Sequence, residues 1–294
     1  MKHKNIFPIT RFAPSPTGYL HLGHVAAALF ARQKATSEGH FLLRLEDIDL
    51  QRCRSEFCSA IEEDLQWLGF TWKKPVWKQS ERISEYRQTL DTLTARGLTY
   101  RCFCSRSDIA REIADSAHAP HQSPDGGHVY PGTCRHLSSR EITQKLAEGR
   151  PWVTRLNMAA ALSDITSPLT WREDDLTTVP CLPESFGDIV LARRDIAASY
   201  HLCVTHDDAK QGVTCVTRGD DLRAATAVHR LLQTVMSWPE PTYAFHPLLR
   251  DEHGRRLAKR DGAQSIRQMR ACGLSASDIL LQAKEAMDKA VGPS

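Results

Sequence analysis

The spacing of apolar residues predicts alternating strands and helices over the first hundred residues. Residues 25–35, VAAALFARQKA, have the alanine and leucine content of a helix, and 41–49, FLLRLEDID, begin as an apolar run typical of a buried strand. In 56–70, EFCSAIEEDLQWLGF, apolar residues recur at intervals of four, four and three, which is the period of an amphipathic helix. A further helix is predicted from Ser80 to Arg96, ended by Gly97. This alternation is typical of an α/β protein with a parallel sheet.

The pattern changes near residue 100 and changes back near residue 195. Residues 100–139 are rich in Cys, His, Ser, Pro and Gly and have little apolar periodicity, so an insertion with its own local fold is predicted there. Beyond it, SYHLCVTHDD (199–208) and GVTCVTRGDDL (212–222) are predicted strands, and AATAVHRLLQTVMSW (224–238) is a predicted helix. The predicted division is 1–99 as the first half of the α/β core, 100–195 as the insertion, 196–244 as the second half of the core, and 245–294 as a basic segment that is loop-rich and then helical.

The composition is that of an ordinary globular protein of 294 residues, 41% hydrophobic and 25% charged. The formal net charge is only +3, so nucleic-acid binding has to be argued from local clusters. One cluster lies between Arg250 and Arg270, where seven Lys or Arg accompany three acids. Neither a signal peptide nor a membrane-spanning run is predicted, and an odd number of cysteines, nine, is typical of reduced thiols or metal ligands. We therefore expect a cytoplasmic protein.

The stretch RFAPSPTGYLHLGH, residues 11–24, has the features of an anion-binding loop. Pro14 and Pro16 restrict its backbone, and the helix predicted after His24 turns unpaired N–H groups toward whatever lies over the loop. His21 and His24 add imidazole donors, so a polyphosphate site is predicted. Two alternatives remain open at this point: a capping loop with two incidental histidines, or a metal bound by the His-x-x-His pair.

The same stretch resembles the glutamyl branch of the class I aminoacyl-tRNA synthetases, whose HIGH signature is similar to HLGH. Five later segments match that branch in order: RLEDID, YRCFCS, FGDIVLARRD, TRGDDL and HPLLRDEHGRRLAKRDGA, in which RLAKR occupies the place of the KMSKS-type loop. The resemblance implies a Rossmann-type parallel sheet. It also implies an enzyme that forms glutamyl-adenylate from L-glutamate and ATP, with Mg²⁺, before an RNA hydroxyl takes the glutamyl group.

The resemblance also implies roles for individual residues. Neither step needs a protein nucleophile, so catalysis is expected from alignment and charge stabilisation, with His21, His24 and Lys259 as the catalytic residues. In the KMSKS-type loop Arg256 replaces the usual first lysine and Ala258 replaces the usual serine. The ATP site is expected to comprise His21, Gly23, His24, Arg256 and Lys259.

The glutamate pocket needs a fixed cation for the side-chain carboxylate and an acid for the α-ammonium group. Arg11 suits the first role because a guanidinium pairs bidentately with a carboxylate and gains much less from an amide. Glu46, at the end of a predicted strand, is expected in the second role. By resemblance, the complete L-glutamate pocket is expected to comprise Arg11, Ala13, Ser15, Glu46, Tyr200 and Arg218.

Three cysteines of the insertion predict a structural zinc site. Cys102 and Cys104 form a Cys-x-Cys pair, and Cys134 closes the YPGTC segment. Zinc normally takes four ligands, and free buried thiols are the alternative to metal binding. Resemblance to the shortened members of the glutamyl branch implies Tyr130 as the fourth ligand, although a histidine would be chemically more ordinary. The alternatives for that fourth position are His128 and His136.

Only residues 261–294 follow the KMSKS-type loop, whereas full glutamyl-tRNA synthetases carry an anticodon-binding portion beyond this point. We therefore expect no anticodon-binding domain here. The chain resembles instead the shortened members of the branch, which attach glutamate to the queuosine base at the wobble position of tRNA(Asp). The expected partners are L-glutamate, ATP and that tRNA, for a monomer that binds no membrane. The alternatives are a minimal synthetase charging the 3′ end of tRNA(Glu), an RNA-independent HxGH nucleotidyltransferase, and a non-catalytic RNA-binding module.

Overall fold

The computed structural model describes residues 7–36, 39–115, 122–249 and 264–291. The strands in these ranges are β1 Ile9–Phe12, β2 His40–Leu45, β3 Lys73–Lys78, β4 Thr99–Cys102, β5 Val153–Leu156, β6 Thr170–Glu173, β7 Thr178–Pro180, β8 Val190–Arg193, β9 Cys215–Gly219 and β10 Thr242–His246. The helices are α1 Leu22–Ala35, α2 Ser55–Trp67, α3 Ile83–Ala95, α4 Arg106–Asp115, α5 Ser139–Ala147, α6 Met158–Ser163, α7 Tyr200–Lys210, α8 Thr226–Val235, α9 Ile266–Ala271 and α10 Ala276–Val291.

A parallel sheet in two halves forms the centre of the molecule. In one half β2 pairs with both β1 and β3, and in the other β10 pairs with both β9 and β6, all in parallel, while β7 adds an antiparallel edge. The halves adjoin because the Thr214 N–H donates to the Ile9 carbonyl oxygen at 3.0 Å. The order across both halves is therefore β3-β2-β1-β9-β10-β6-β7. This confirms the α/β prediction and puts a change of winding direction between β1 and β9, which is where open α/β sheets bind their ligands.

Helices cover both faces of this sheet through apolar contacts. On one face α1 packs against α10, and Val25 and Ala28 of α1 share a buried cluster with Ile279 of α10. On the other face α3, α7 and α8 share a second cluster that includes Leu202 and Leu231. Each fully buried side chain of that size contributes roughly 1.5–3 kcal/mol. None of the described helices is long and apolar enough to cross a membrane.

Segment 100–195 contributes strands to two different sheets. β5 pairs antiparallel with β4 and β8 in a small separate sheet, but β6 and β7 belong to the parallel sheet. Apolar packing explains why β6 joins the parallel sheet, because Trp171 of β6 is buried in one cluster with Val216 of β9 and Tyr243 of β10. The independence of segment 100–195 as a folding unit stays a prediction.

The prediction of a strand at 199–208 is wrong, because this segment forms α7. Every residue from Leu202 to Asp208 is buried, so the segment has no polar exposed face to produce a helical period. The other predicted core elements are confirmed in α1, which begins three residues early, and in β2, α2, β9 and α8. The predicted helix 80–96 is divided into a short 3₁₀ turn at Gln79–Arg82 followed by α3.

Candidate active site

A cavity of about 1050 Å³ lies at the carboxyl ends of β1 and β9. Its walls are the loop after β1, the first turn of α1, the end of β2 and the end of β9. Arg256 and Lys259, with Ala258, lie outside the described residues. The predicted glutamate and ATP residues that the structure describes all line this cavity: Arg11, Ala13, Ser15, His21, Gly23, His24, Glu46, Tyr200 and Arg218.

The loop after β1 is held against neighbouring backbone rather than left free. The Glu46 N–H donates to the Pro14 carbonyl oxygen and the Arg54 N–H to the Pro16 carbonyl oxygen, both at 3.1 Å. Both prolines are buried, while Ser15 between them is exposed at the cavity. The fixed φ of each proline and these two bonds together set the position of the loop relative to β2.

His21 and His24 cap the helix that they begin. The Gly23 N–H donates to His21 Nδ1 at 3.1 Å, and the His21 N–H donates to His24 Nδ1 at 3.2 Å, which makes a reciprocal capping box. Because both Nδ1 atoms accept, each neutral ring carries its proton on Nε2. The helix-capping role, which the sequence left open as an alternative, is therefore observed in the structure. Both rings line the cavity at the positive end of α1.

Arg11 belongs to a buried ion-pair network. Its Nε donates to Asp208 Oδ1 at 2.9 Å and its Nη1 donates to the Thr217 carbonyl oxygen at 2.6 Å. Fully buried Arg44 donates from Nη1 to the same Asp208 oxygen at 2.8 Å and from Nη2 to Glu46 Oε1 at 3.4 Å. Burial by itself would raise the pKa of Asp208, but Arg11 and Arg44 together lower it. The guanidinium groups of Arg11, which lines the cavity, and of Arg44 are therefore fixed beside these carboxylates.

Glu46 differs from Asp208 in its balance of burial and charge. Burial raises the pKa of Glu46, and the attraction of Arg44 and Arg11 acts against that shift. Its carboxylate accepts one long bond from Arg44 and lines the cavity, so it retains acceptor capacity for a cationic group there.

Arg218 is held by helix α8 from one side of the cavity. Its Nη2 lies 3.0 Å from His229 Nδ1 and its Nη1 lies 3.4 Å from Thr226 Oγ1. The Nε atom is buried and makes no hydrogen bond to any described residue. Tyr200 adds an aromatic wall, with its ring centroid 5.8 Å from that of His229. Arg218 thus lines the cavity from a buried position that α8 fixes.

The three predicted metal-binding cysteines are brought together. The sulfur atoms of Cys102, Cys104 and Cys134 all lie within 4.8 Å of one another. The Tyr130 hydroxyl lies 3.4 Å from Cys104 Sγ and accepts the Cys134 N–H at 2.8 Å, so it occupies the fourth side of the cluster. Three thiols and a phenol could hold one ion such as zinc. Among the described side chains, the two alternative ligands, His128 and His136, are not part of this group.

The catalytic-domain model of the tRNA synthetases class I (E and Q) matches residues 9–280. The chain belongs to this family. It is 46% identical over 278 residues to a glutamyl-Q tRNA(Asp) synthetase of Rhodobacter capsulatus, covering 92% of this chain and 98% of that relative. It is 38% identical to a glutamate–tRNA ligase of a Synechococcus species, of which it covers 56%. The protein is accordingly a ligase of the aminoacyl-tRNA synthetase type.

Solved structures agree with this family assignment. A glutamate tRNA ligase from Elizabethkingia meningosepticum, crystallised with its amino acid, is 27% identical and superposes with a TM-score of 0.70. The similarity covers 87% of this chain and 52% of that one. The parallel sheet is thus the class I synthetase catalytic fold.

The residues that orient the site residues from outside the cavity were not predicted from the sequence. Arg44 and Asp208 orient Arg11, and His201 and His229 lie behind Arg218. The available signal was the charged run HDD at 206–208 inside an otherwise apolar segment, since buried charges need partners.

Proposed function

We propose that the protein activates L-glutamate with ATP and transfers the glutamyl group to the queuosine base at the wobble position of tRNA(Asp). The observation that carries this proposal is the convergence of two guanidinium groups, one carboxylate and two histidines on one cavity. The choice of tRNA is supported by the Rhodobacter relative, which the chain covers almost completely, whereas it covers about half of the glutamate–tRNA ligases.

The charges around the cavity suit glutamate better than glutamine. Arg11 and Arg218 offer planar donors to the two carboxylates of the substrate, and Glu46 offers an acceptor to the α-ammonium group. Both guanidinium groups are buried and hydrogen-bonded to the protein, so they are held in place before a substrate binds. An amide would leave one donor facing an NH₂ group, so glutamine would bind more weakly.

Adenylation joins the amino acid and the nucleotide at the first turn of α1. An oxygen of the α-carboxylate attacks the α-phosphorus of ATP, bound with Mg²⁺, and the bond to pyrophosphate breaks. His21 and His24 donate from Nε2 to the phosphates, and the α1 N-terminus stabilises the added negative charge. The chain therefore supplies alignment and charge rather than a covalent intermediate.

Arg256 and Lys259 complete the phosphate site in this proposal. They lie outside the described residues, but both flanks of their segment are at the cavity. Leu249 lines it, and Ser265 lies against His21, where the Ile266 N–H donates to the Leu20 carbonyl oxygen at 2.8 Å. This arrangement supports a role for both side chains as cations near the ATP phosphates.

Transfer requires the RNA hydroxyl to reach the adenylate. A second cavity of about 840 Å³ shares Ser15, Thr17, Glu46 and Tyr200 with the first and extends toward segment 100–195. Arginines line it and could pair with phosphates of a bound RNA. The arginines that line this second cavity are Arg52, Arg106, Arg155 and Arg193.

In the transfer step the RNA hydroxyl attacks the acyl carbon of glutamyl-adenylate, AMP leaves, and the glutamyl group becomes an ester.

Zinc in the cysteine cluster would be structural in this proposal. Cys102, Cys104, Cys134 and Tyr130 would hold it and so tie the end of β4 to the loop at 130–134. No step of the reaction needs the ion. Its contribution would be to fix the shape of the segment that borders the second cavity.

The deciding experiment is transfer of labelled L-glutamate to tRNA(Asp) carrying queuosine, to the same tRNA without queuosine, and to tRNA(Glu). The proposal requires labelling of the first RNA only. Labelling of tRNA(Glu) alone would make the protein a minimal glutamyl-tRNA synthetase. ATP–pyrophosphate exchange that ignores glutamate would indicate an HxGH nucleotidyltransferase for another small molecule, and no exchange at all would indicate an RNA-binding module.

A further inference from the structure

We infer that His229 is a positioning residue that orients Arg218 for glutamate recognition, and that His201 fixes the ring tautomer in which it does so. The inference rests on the proposed glutamate pocket, because the role assigned to His229 acts through Arg218. It concerns two histidines that the sequence motifs did not single out.

Three side chains form a hydrogen-bonded chain behind the cavity. Arg218 Nη2 lies 3.0 Å from His229 Nδ1, and His229 Nε2 lies 3.1 Å from His201 Nδ1. A guanidinium only donates, so His229 Nδ1 has to be the acceptor and the ring proton has to be on His229 Nε2. That proton then donates to His201 Nδ1, which places the proton of His201 on its own Nε2. One tautomer of each ring satisfies every contact in the chain.

The surroundings keep both rings neutral. Among the described residues, the charged and titratable groups near His229 are Arg218 from β9, Arg11 from β1, and His201 and Tyr200 from α7, and no carboxylate contacts it. Burial first, and then the positive charge of Arg218, lower the pKa of His229 well below its usual range. Burial also lowers the pKa of His201 to about 4, although the negative charge of Asp125 acts in the opposite direction. At neutral pH His229 therefore keeps the lone pair that Arg218 needs.

His229 makes the stronger of the two polar contacts that α8 offers to Arg218. The Thr226 contact, at 3.4 Å, is longer than an ordinary N–H···O bond, whereas the His229 contact has normal length. His229 is 1% exposed and lies one helical turn after Thr226, so α8 holds its ring firmly. Nη2 is occupied by His229, so a substrate carboxylate in the cavity that Arg218 lines is expected at the remaining N–H groups of the guanidinium.

The test compares two substitutions of His229 by the KM for glutamate in ATP–pyrophosphate exchange. His229→Leu keeps an apolar volume but removes the acceptor, and should raise the KM for glutamate about tenfold or more with the KM for ATP unchanged. His229→Asn places an amide oxygen near the position of Nδ1 and should stay within about threefold of the parent KM. If His229 had a merely structural role, its substitution would not raise the KM for glutamate while leaving the KM for ATP unchanged.

Leu232→Ala is the matched control, because Leu232 is fully buried in the same helix and its side chain has no polar group. It should lower stability without a selective change in the glutamate KM. If Arg218→Ala leaves the glutamate KM unaltered, the proposed pocket is wrong. The inference about His229 is overturned if Arg218→Ala raises the KM for glutamate but His229→Leu does not. It is also overturned if His229→Asn raises the KM for glutamate as much as His229→Leu does.

A spectroscopic test on the unsubstituted protein covers the case in which His229→Leu fails to fold. The ¹⁵N chemical shifts of the histidine rings distinguish an Nε2–H tautomer from an Nδ1–H tautomer. The inference requires the Nε2–H form for both His201 and His229 at pH 7. An Nδ1–H form, or a charged ring, at His229 would overturn it.

Discussion

The Arg11 Nε atom and the Asp208 Oδ1 atom form a hydrogen bond of 2.9 Å between residues 197 positions apart in the chain. The same carboxylate oxygen accepts from Arg44 at 2.8 Å, and all three side chains are buried. One aspartate of α7 therefore fixes two guanidinium groups, of which that of Arg11 lines the cavity. Much of the site depends on that single carboxylate.

Asp208→Asn should destabilise the protein by roughly 3 kcal/mol, because it replaces the buried carboxylate that Arg11 and Arg44 share with a neutral amide. The measurement is the free energy of unfolding in urea, with the glutamate KM followed in parallel. Glu56→Gln is the control, since the Arg54–Glu56 pair is 3.7 Å apart and largely exposed. That substitution should change stability by less than about 0.5 kcal/mol. Equal effects at both positions would contradict a special role for Asp208.

Arg11→Lys should raise the KM for glutamate about tenfold or more in ATP–pyrophosphate exchange and leave the KM for ATP unaltered. Lysine keeps the positive charge beside Asp208 but cannot present two parallel donors. Arg11→Ala should abolish the exchange. Arg87→Lys, at an exposed position of α3, is the control. Unchanged glutamate dependence in both Arg11 variants would remove Arg11 from the pocket.

His21→Asn should separate helix capping from phosphate binding. Asparagine is a good N-cap residue, so stability should change by less than about 0.5 kcal/mol, whereas His21→Ala should cost about 1 kcal/mol. Both variants lack the Nε2–H donor and should slow adenylate formation about 100-fold. A fast His21→Asn enzyme would show that His21 serves the helix alone.

The purified protein should contain zinc, as proposed above, and Cys104→Ser should abolish it, measured by elemental analysis against protein concentration. Tyr130→Phe removes the phenol oxygen but no thiol, and should weaken zinc binding about tenfold or more while leaving a three-sulfur site. Cys272→Ser, at an exposed cysteine, is the control and should retain the metal. Zinc retained in full by Cys104→Ser would contradict a metal site at this cluster.

The protein should lose stability as the pH falls from about 6.5 to about 4. In the unfolded chain His201 and His229 take up protons near the ordinary histidine pKa of about 6.5. In the folded protein the pKa of His201 is lowered to about 4 and that of His229 is well below its usual range. The unfolded state therefore binds more protons in this window, which costs up to roughly 1.4 kcal/mol per pH unit for each histidine.

Urea unfolding at a series of pH values measures this slope. His201→Asn should make the slope shallower, whereas His40→Asn, at an exposed position at the start of β2, should leave it unaltered. Above pH 7 the three proteins should show no difference in slope from these groups, since the histidines are neutral in both states. A His201→Asn protein with the parent slope would contradict the burial argument.

The sequence predicts those parts of the fold where burial follows a regular period. α2 has one buried face, with Ile61 and Leu65 inside and charged residues outside, so its period was visible. α7 could not be predicted because its middle is buried on all sides, and its sequence resembles that of a buried strand. β6 and β7 were likewise hidden, since four-residue and three-residue strands carry too few positions to show alternation.

The residues of the candidate site also fall into two groups, those that the sequence predicts and those that it does not. Residues that touch the cavity lie in contiguous motifs, so the resemblance identified Arg11, Glu46 and Arg218 together. The residues that orient them are single positions on α7 and α8, and their pairing depends on how helices pack. No local sequence pattern indicates that Asp208 contacts Arg11 or that His229 contacts Arg218.

The adjacency of β1 and β9 also bears on how the protein reaches its folded state. Arg11 and the Thr217 carbonyl oxygen meet across 206 positions of sequence, so the chain has to close a very long loop before either half of the pocket exists. Contacts of that separation form late and slowly compared with helices. The glutamate pocket has no local precursor, and a partly folded intermediate that keeps only α1 and α8 would not bind glutamate.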